Sequence, residues 1–261
     1  MKKIGLAVGV PTALGMASGL SATLPATAAD YAPPPHQWDF SGPYWGVSGG
    51  ISWLHASADD SSYLDSVWTN YGYGVTGTKK TSDSALGGLF GGTLGYNFQS
   101  GNFVYGVEGD ISWLGGNSVK TQGDFLATSL NNPYEYGYGY SARKSTIDGL
   151  ATLRARAGID VDGTLVYGTA GLAIGHVKDS ISYDYGYAYG GGGTSAYSHS
   201  AWQTGFVVGA GLERKLTQKL SLKFEGLWVG LPHSHVSTGY GAPVNFSHDL
   251  GIARIGLDWH F

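Results

Sequence analysis

The last twelve residues are Leu250-Gly251-Ile252-Ala253-Arg254-Ile255-Gly256-Leu257-Asp258-Trp259-His260-Phe261, and their reading decides the fold. In an extended chain Ala253, Ile255, Leu257, Trp259 and Phe261 share one face. Arg254, Asp258 and His260 share the other. Alternation with a period of two is the signature of a strand with two unlike faces. Such a strand fits a soluble sandwich, which hides its large residues. It equally fits a membrane barrel, which shows them to lipid and turns the rest into a closed lumen. The remaining chain has to choose between the two.

Seven earlier stretches repeat the pattern. Tyr44 to His55 sets Trp45, Val47, Ile51 and Trp53 against Gly46, Ser48, Gly50 and Ser52. Ala85 to Phe98 sets Leu86, Phe90, Leu94, Tyr96 and Phe98 against Gly87, Gly91, Thr93, Gly95 and Asn97. Phe103 to Leu114 opposes Tyr105, Val107, Ile111 and Trp113 to Glu108, Asp110 and Ser112. Ile147 to Ile159 opposes Leu153, Ala155 and Ala157 to Thr152, Arg154 and Arg156. Leu165 to Lys178 is apolar on both sides, so its faces stay unassigned. Trp202 to Glu213 sets Phe206, Val208, Ala210 and Leu212 against Gln203, Gly205, Gly209, Gly211 and Glu213. Leu220 to Leu231 sets Leu222, Phe224 and Trp228 against Lys223 and Glu225.

The connections favour the barrel. Three are short: Gln99 to Asn102, Asp160 to Gly163, and Arg214 to Lys219. Four are long: Ala56 to Ser84, Gly115 to Thr146, Asp179 to Ala201, and Pro232 to Asp249. Short and long alternate strictly, as periplasmic turns and external loops do in transmembrane barrels. An even strand count returns both ends to the short-turn side. The expectation is an all-β fold, an eight-stranded antiparallel transmembrane β-barrel with short periplasmic turns and long extracellular loops. The chain has 44 glycines in 261 residues, and many fall on the inner face, where a narrow barrel leaves little room. It has no cysteine, which removes disulfide frameworks and thiol chemistry. Its net charge of -4 is the wrong sign for a nucleic-acid partner.

The N-terminus reads as an address. Met1-Lys2-Lys3 is basic, Ile4 to Pro25 is uncharged, and Ala26-Thr27-Ala28 is an A-x-A cleavage pattern. We expect a signal peptide at 1–28, cut after Ala28 or Ala29. A linker carrying Pro33-Pro34-Pro35 follows at 29–41, and the barrel occupies 42–261.

Several pieces resemble the small outer-membrane immunogenic proteins of alpha-proteobacteria, a porin-like family within the outer-membrane protein A-like eight-stranded barrels. They are Ala28-Ala29-Asp30, Gly42-Pro43-Tyr44-Trp45-Gly46-Val47, Gly88 to Tyr96, Tyr105-Gly106-Val107-Glu108-Gly109-Asp110, Leu153 to Gly158, Gly209 to Glu213, and Arg254 to Phe261. Their order, more than any one of them, carries the likeness. It implies an outer-membrane location among lipid and lipopolysaccharide, surface antigenicity and, in some members, haem or host-ligand binding by loops. It carries no catalytic residue to transfer, and we expect no cofactor. The terminal Phe261 resembles the signal read by the barrel-assembly machinery.

Three constellations are candidates for function. The first is in the lumen. Counted up from the periplasmic end of each strand, Glu108, Asp110, Arg154, Arg156, Lys223, Glu225, Arg254 and Asp258 crowd one half of the interior. They form either a plug of paired charges or an ion-selective constriction. The second is histidine near the outer rim: His55, His176, His199, His233, His235 and His248. Of these His199, His233 and His235 are the loop candidates for haem. His235-Val236-Ser237 also resembles the His-x-Ser of lipid A deacylases, with Asp249 the nearby acid. The third is tyrosine. Tyr134, Tyr136, Tyr138 and Tyr140 repeat every second residue, as do Tyr183, Tyr185, Tyr187 and Tyr189. If Asp160 pairs Gly163, the tracts either continue the hairpin beyond the membrane as a ribbon, with Tyr140 facing Tyr183 and Tyr138 facing Tyr185, or form a mobile Gly/Tyr loop ended by Gly190 to Gly193. The functional expectation is a non-enzymatic surface barrel whose loops bind an extracellular ligand. A narrow porin and a lipid A deacylase are the alternatives.

Overall fold

The computed structural model describes residues 38–261, apart from Pro133 and residues 239–241. The expected signal peptide and most of the proline-rich linker lie outside the described residues. The described chain forms ten strands and one helix: β1 (Gly42–Asp59), α1 (Ser61–Asn70), β2 (Tyr73–Gly77), β3 (Lys80–Ser100), β4 (Phe103–Gly115), β5 (Ser118–Ser129), β6 (Tyr136–Val161), β7 (Thr164–Tyr187), β8 (Gly192–Lys215), β9 (Leu220–Val236) and β10 (Val244–His260).

All pairings are antiparallel, and the sheet closes on itself. β1 pairs β3 on one edge and β10 on the other, while β6 pairs β7. β4 and β5 share one place in the wall. β4 pairs the lower part of β6, from Phe103↔Ile159 to Trp113↔Gly149, and β5 pairs its upper part, from Ser118↔Thr146 to Thr128↔Tyr136. Gly116, at φ +83°, makes the break between them. β2 lies on the outer part of β5. The result is a barrel of eight staves, and the eight expected stretches fall one to a stave, the last running one residue past β10.

The periplasmic turns are tight. Asp162 and Gly163 take φ 50° and 76° in a two-residue turn between Val161 and Thr164. That left-handed pair matches the twist of the flanking strands. The chain before β1 also belongs to the barrel. Phe40 is fully buried, its N–H donates to Gln99 Oε1 at 2.7 Å, and Asn97 Nδ2 donates to its carbonyl at 3.2 Å. The stretch expected as linker thus enters the periplasmic mouth from Trp38 onward.

On the outer side the expected long loops are largely strand. β6, β7 and β8 run for 26, 24 and 24 residues, far more than a bilayer needs. The expected strands end at Ile147, Lys178 and Trp202, where the aliphatic outward residues give way. Alternation continues with polar residues outside. The tyrosine ribbon forms, but not in the expected register. The turn pairs Val161 with Thr164, and a bulge between Ile147 and Gly149 shifts the ladder by one residue. Tyr140 therefore faces Asp184, Tyr138 faces Gly186, and Tyr183 and Tyr185 face Ser141 and Gly139. One residue of slip turns side chains to the other face. Tyr136, Tyr138 and Tyr140 point outward, while Tyr183 turns into the interior. The same ladder settles the faces of Leu165 to Lys178. Leu165, Tyr167, Thr169, Ala173 and Val177 are buried, and Val166, Leu172 and Ile174 face out.

The outer surface carries an apolar band bounded by aromatics. Near the periplasm Trp45 stacks on Trp259 at 5.1 Å and Phe98 on Tyr105 at 5.4 Å. Toward the outside Phe90 stacks on Trp113 at 5.4 Å, and Phe206 meets Trp228 edge-on at 5.1 Å. From Phe103 to Trp113 at strand rise and barrel tilt is about 25 Å, the height of a lipid-facing band.

Candidate functional site

The interior is layered. Lowest is a small apolar seal of Phe40, Val104, Leu165 and Tyr167. Above it lie the charges. All eight predicted residues meet there, each at most 5% exposed. Arg154 contacts Glu108, Asp110 at 3.0 Å and Glu225 at 3.0 Å. Arg254 reaches Asp110 at 3.2 Å and Glu225 at 2.5 Å. Arg156 lies 3.4 Å from Glu108, and Lys223 bridges Glu108 at 3.1 Å and Asp258 at 2.9 Å.

The network is larger than the eight. Glu213 pairs Arg156 at 2.6 Å and contacts His260 at 3.0 Å. Tyr44 Oη donates to Glu108 at 2.7 Å, and Tyr167 Oη donates to Glu225 at 2.9 Å. Arg156 lies over the Tyr167 ring, 4.0 Å from its centroid. The inward direction of Glu213 and His260 was readable from alternation, but their reach across the lumen was not. Tyr167 sits on the strand whose faces the pattern left open. Two glycines make room for these rings. A Cβ on Gly95 would lie 2.2 Å from the Tyr44 ring, and one on Gly211 2.5 Å from the Tyr167 ring. Buried charges are tolerated only with partners of this kind.

Above the charges is an apolar layer. Leu54, Leu89, Leu114, Ile147, Leu150, Val177, Val207, Val229, Leu250 and Ile252 fill the barrel from all sides. The sequence hides this layer because its residues occupy inward positions that carry glycine or charge lower down.

Next comes a buried polar knot around Asp179. Ser145 Oγ donates to Asp179 at 2.6 Å, Ser234 Oγ also bonds it, and His248 Nε2 lies 3.0 Å away. His248 Nε2 is also 2.7 Å from Ser145 Oγ. These residues come from β6, β7, β9 and β10 and tie four staves together. They are at most 4% exposed and sit between apolar layers.

The other histidines do not assemble. His55 meets Ser84 at 2.9 Å, and His176 meets Asp148 at 2.6 Å. His199, His233 and His235 are exposed. The ladder between β8 and β9 ends at Phe206 and Gly230, below all three, so no strand pairing joins His199 to the other two. His235 Nδ1 faces Asn245 Oδ1 at 2.6 Å rather than a carboxylate, and Asp249 pairs Gly230 in the ladder. The acid–His–Ser arrangement of a deacylase is not formed by His235. Among the described residues no group of three or more His, Asp or Glu has metal-holding geometry.

The outer mouth is covered by α1. Its turn of the chain places Tyr63, Leu64 and Trp68 on the inner side, where they pack with Phe125, Tyr183, Val236, Val244 and Phe246. Asp60, just before the helix, makes no side-chain capping bond. Its carboxylate instead takes Arg143 Nη2 at 2.6 Å and the Tyr183 hydroxyl at 3.2 Å. Burial raises the Asp60 pKa, and the Arg143 guanidinium opposes that rise. Burial also raises the Tyr183 phenol, with the Asp60 charge adding to it. Beside the helix is a cavity of about 470 Å³ lined by Tyr63, Trp68, Tyr71, Tyr185, Tyr187 and Tyr197 among others. None of its lining residues is charged.

A closed antiparallel barrel with an apolar, aromatic-edged outer band is a transmembrane β-barrel. The model of the Outer membrane protein beta-barrel domain family matches residues 14–229. The chain belongs to that family, and it is a protein of the Gram-negative outer membrane. It is 36% identical over 138 residues to the 22 kDa outer membrane protein of Rhizobium leguminosarum bv. viciae, covering 52% of this chain and 50% of that one. It is 27% identical over 206 residues to the 25 kDa outer-membrane immunogenic protein of Brucella canis, covering 76% of each. The chain therefore spans half the length of the Rhizobium relative and about three quarters of the Brucella one. Among solved structures it is similar to the outer membrane protein OprG of Pseudomonas aeruginosa, at 14% identity and a TM-score of 0.39, covering 85% of this chain and 96% of that one. Neisserial surface protein A matches at 16% identity and a TM-score of 0.35, covering 85% and 98%.

Proposed function

We propose that this chain is a closed, non-conducting and non-enzymatic surface barrel that holds a structured cap above the membrane. The observation that carries this reading is the doubly filled lumen. A charge network fills one level and a continuous apolar layer fills the next. A pore for small solutes would need a wetted path through both. The exposed Phe261, one residue past β10, is the terminal aromatic we assign to the assembly machinery. The uncharged aromatic cavity beside α1 is the place on the cap with the form of a ligand site. It suits a flat or ring-shaped neutral ligand stacked on tyrosine and tryptophan. The test is planar-bilayer recording from the full chain, with insertion verified independently. We expect no discrete conductance steps. Steady, reproducible channels would overturn the reading.

A further inference from the structure

Just outside the aromatic girdle, a row of donors crosses four strands. Lys120 of β5 pairs Lys144 of β6, Lys144 pairs Ser180 of β7, and Ser180 pairs Ser198 of β8. Adjacent strands are about 4.8 Å apart, so the two ammonium groups start from directly opposed positions. Like charges opposed across a ladder are destabilising unless something of opposite sign lies between them. Among the described residues neither lysine forms an ion pair. Their neighbour Lys178 is different, because Asp148 neutralises it at 2.6 Å.

The row borders a groove. In the next row outward Gln122, Ala142, Ser182 and Ala196 lie side by side, and the two alanines leave a hollow of about 340 Å³. Two ammonium groups, three serine hydroxyls and an amide line its membrane side, and each can donate; Asp124 and Asp184 stand in the row beyond. No side-chain hydrogen bond among the described residues engages Ser180, Ser182, Ser198 or Gln122. That is an anion-binding composition, and its oxygens would need to come from a compact, multiply charged group such as phosphate.

The level in the membrane names the source. On β4 the outward residues are apolar up to Trp113, and on β7 up to Ile174. The next outward positions on β7 are His176 and Lys178, then Ser180. The groove thus stands a few residues beyond the hydrocarbon edge, at headgroup depth. We propose that Lys120, Lys144 and the serine hydroxyls form a site for the phosphate of an outer-leaflet glycolipid headgroup, packed against the barrel wall. This site depends on the outer-membrane location and not on whether the lumen conducts.

The test uses the full chain in phosphatidylcholine nanodiscs carrying a few per cent diphosphoryl lipid A. Native mass spectrometry of the ejected protein counts retained lipid A. We expect one retained molecule for the wild type and at least tenfold lower occupancy for Lys120→Gln/Lys144→Gln. Lys219→Gln, on the periplasmic turn, is expected to match the wild type. Both lysines of the double variant are exposed, and heat-modifiable gel mobility checks that its barrel is folded. Equal retention by a folded double variant would overturn the proposal. So would equal retention of dephosphorylated lipid A. Complete displacement by millimolar inorganic phosphate would make this a free-ion site and overturn the glycolipid assignment.

Discussion

Arg154 shows how a single residue holds the lumen. It touches three carboxylates, Glu108, Asp110 and Glu225, with its side chain fully buried. Arg154→Ala would take one cation from three buried acids and leave Arg156, Lys223 and Arg254 to balance them. Removing one partner of a buried ion pair typically costs about 3–5 kcal/mol. We expect a loss of that order in the urea midpoint of the folded barrel, read by its gel mobility; a shift under about 1 kcal/mol would mean the acids find other partners. Lys215, at the periplasmic mouth, makes a prediction in pH. Its ammonium lies over the Phe40 ring, 5.0 Å from the centroid, and burial pushes its pKa down to about 8 from 10.5. Between those values the unfolded chain binds the proton and the folded chain does not. Stability should therefore rise as pH increases from about 8 to about 10.5. The check is to follow the urea midpoint across that window for the wild type and Lys215→Met. The slope should flatten in the variant, and identical slopes would refute it.

Among the elements, α1 depends most on long-range support. Ten residues are marginal as an isolated helix. This one is fixed by its buried Leu64 and Trp68 and by the Asp60–Arg143 pair at 2.6 Å. We expect Arg143→Ala to release the cap without opening the barrel. Limited proteolysis should cut between residues 61 and 77 at least tenfold faster, while the barrel core keeps its gel mobility. Unchanged cleavage would show that apolar packing alone holds the helix. The helix itself was not legible in the sequence, because its stretch lies in a long connection with weak periodicity. The eight staves were legible, since lipid on one side and a crowded lumen on the other enforce alternation along every strand. The faces of β7 and the tyrosine register were not. Both depend on a turn shortened to Asp162-Gly163 and on a bulge near Asp148, and neither leaves a pattern in composition. The eight lumen charges were readable because a charge on a membrane strand has only the interior to occupy. Their partners Tyr44 and Tyr167 read as ordinary aromatics.

Across the whole molecule, two separate layers fill the lumen, one of paired charges and one apolar. This sharpens the conductance prediction, because the apolar layer remains when the charge network is broken. Arg154→Ala is therefore expected to stay silent in a planar bilayer, however destabilised. Channels in that variant alone would show that the charges, not the leucines and valines, are the barrier.

The tall wall formed by β6, β7 and β8 has an immunological consequence. From Ile174 to Tyr187 the strand climbs about 30 Å past the hydrocarbon edge, roughly another membrane thickness. Along that climb successive side chains point to opposite sides, and the backbone amides are already engaged by neighbouring strands. An antibody approaching from outside meets every second residue of three strands at once, Tyr138 and Tyr140 beside Asp184 and Thr194. A free peptide copied from residues 174–187 displays both sides of one strand and neither neighbour. The surface an antibody meets is thus conformational and composite, and serum raised against the native barrel should be nearly blind to that peptide.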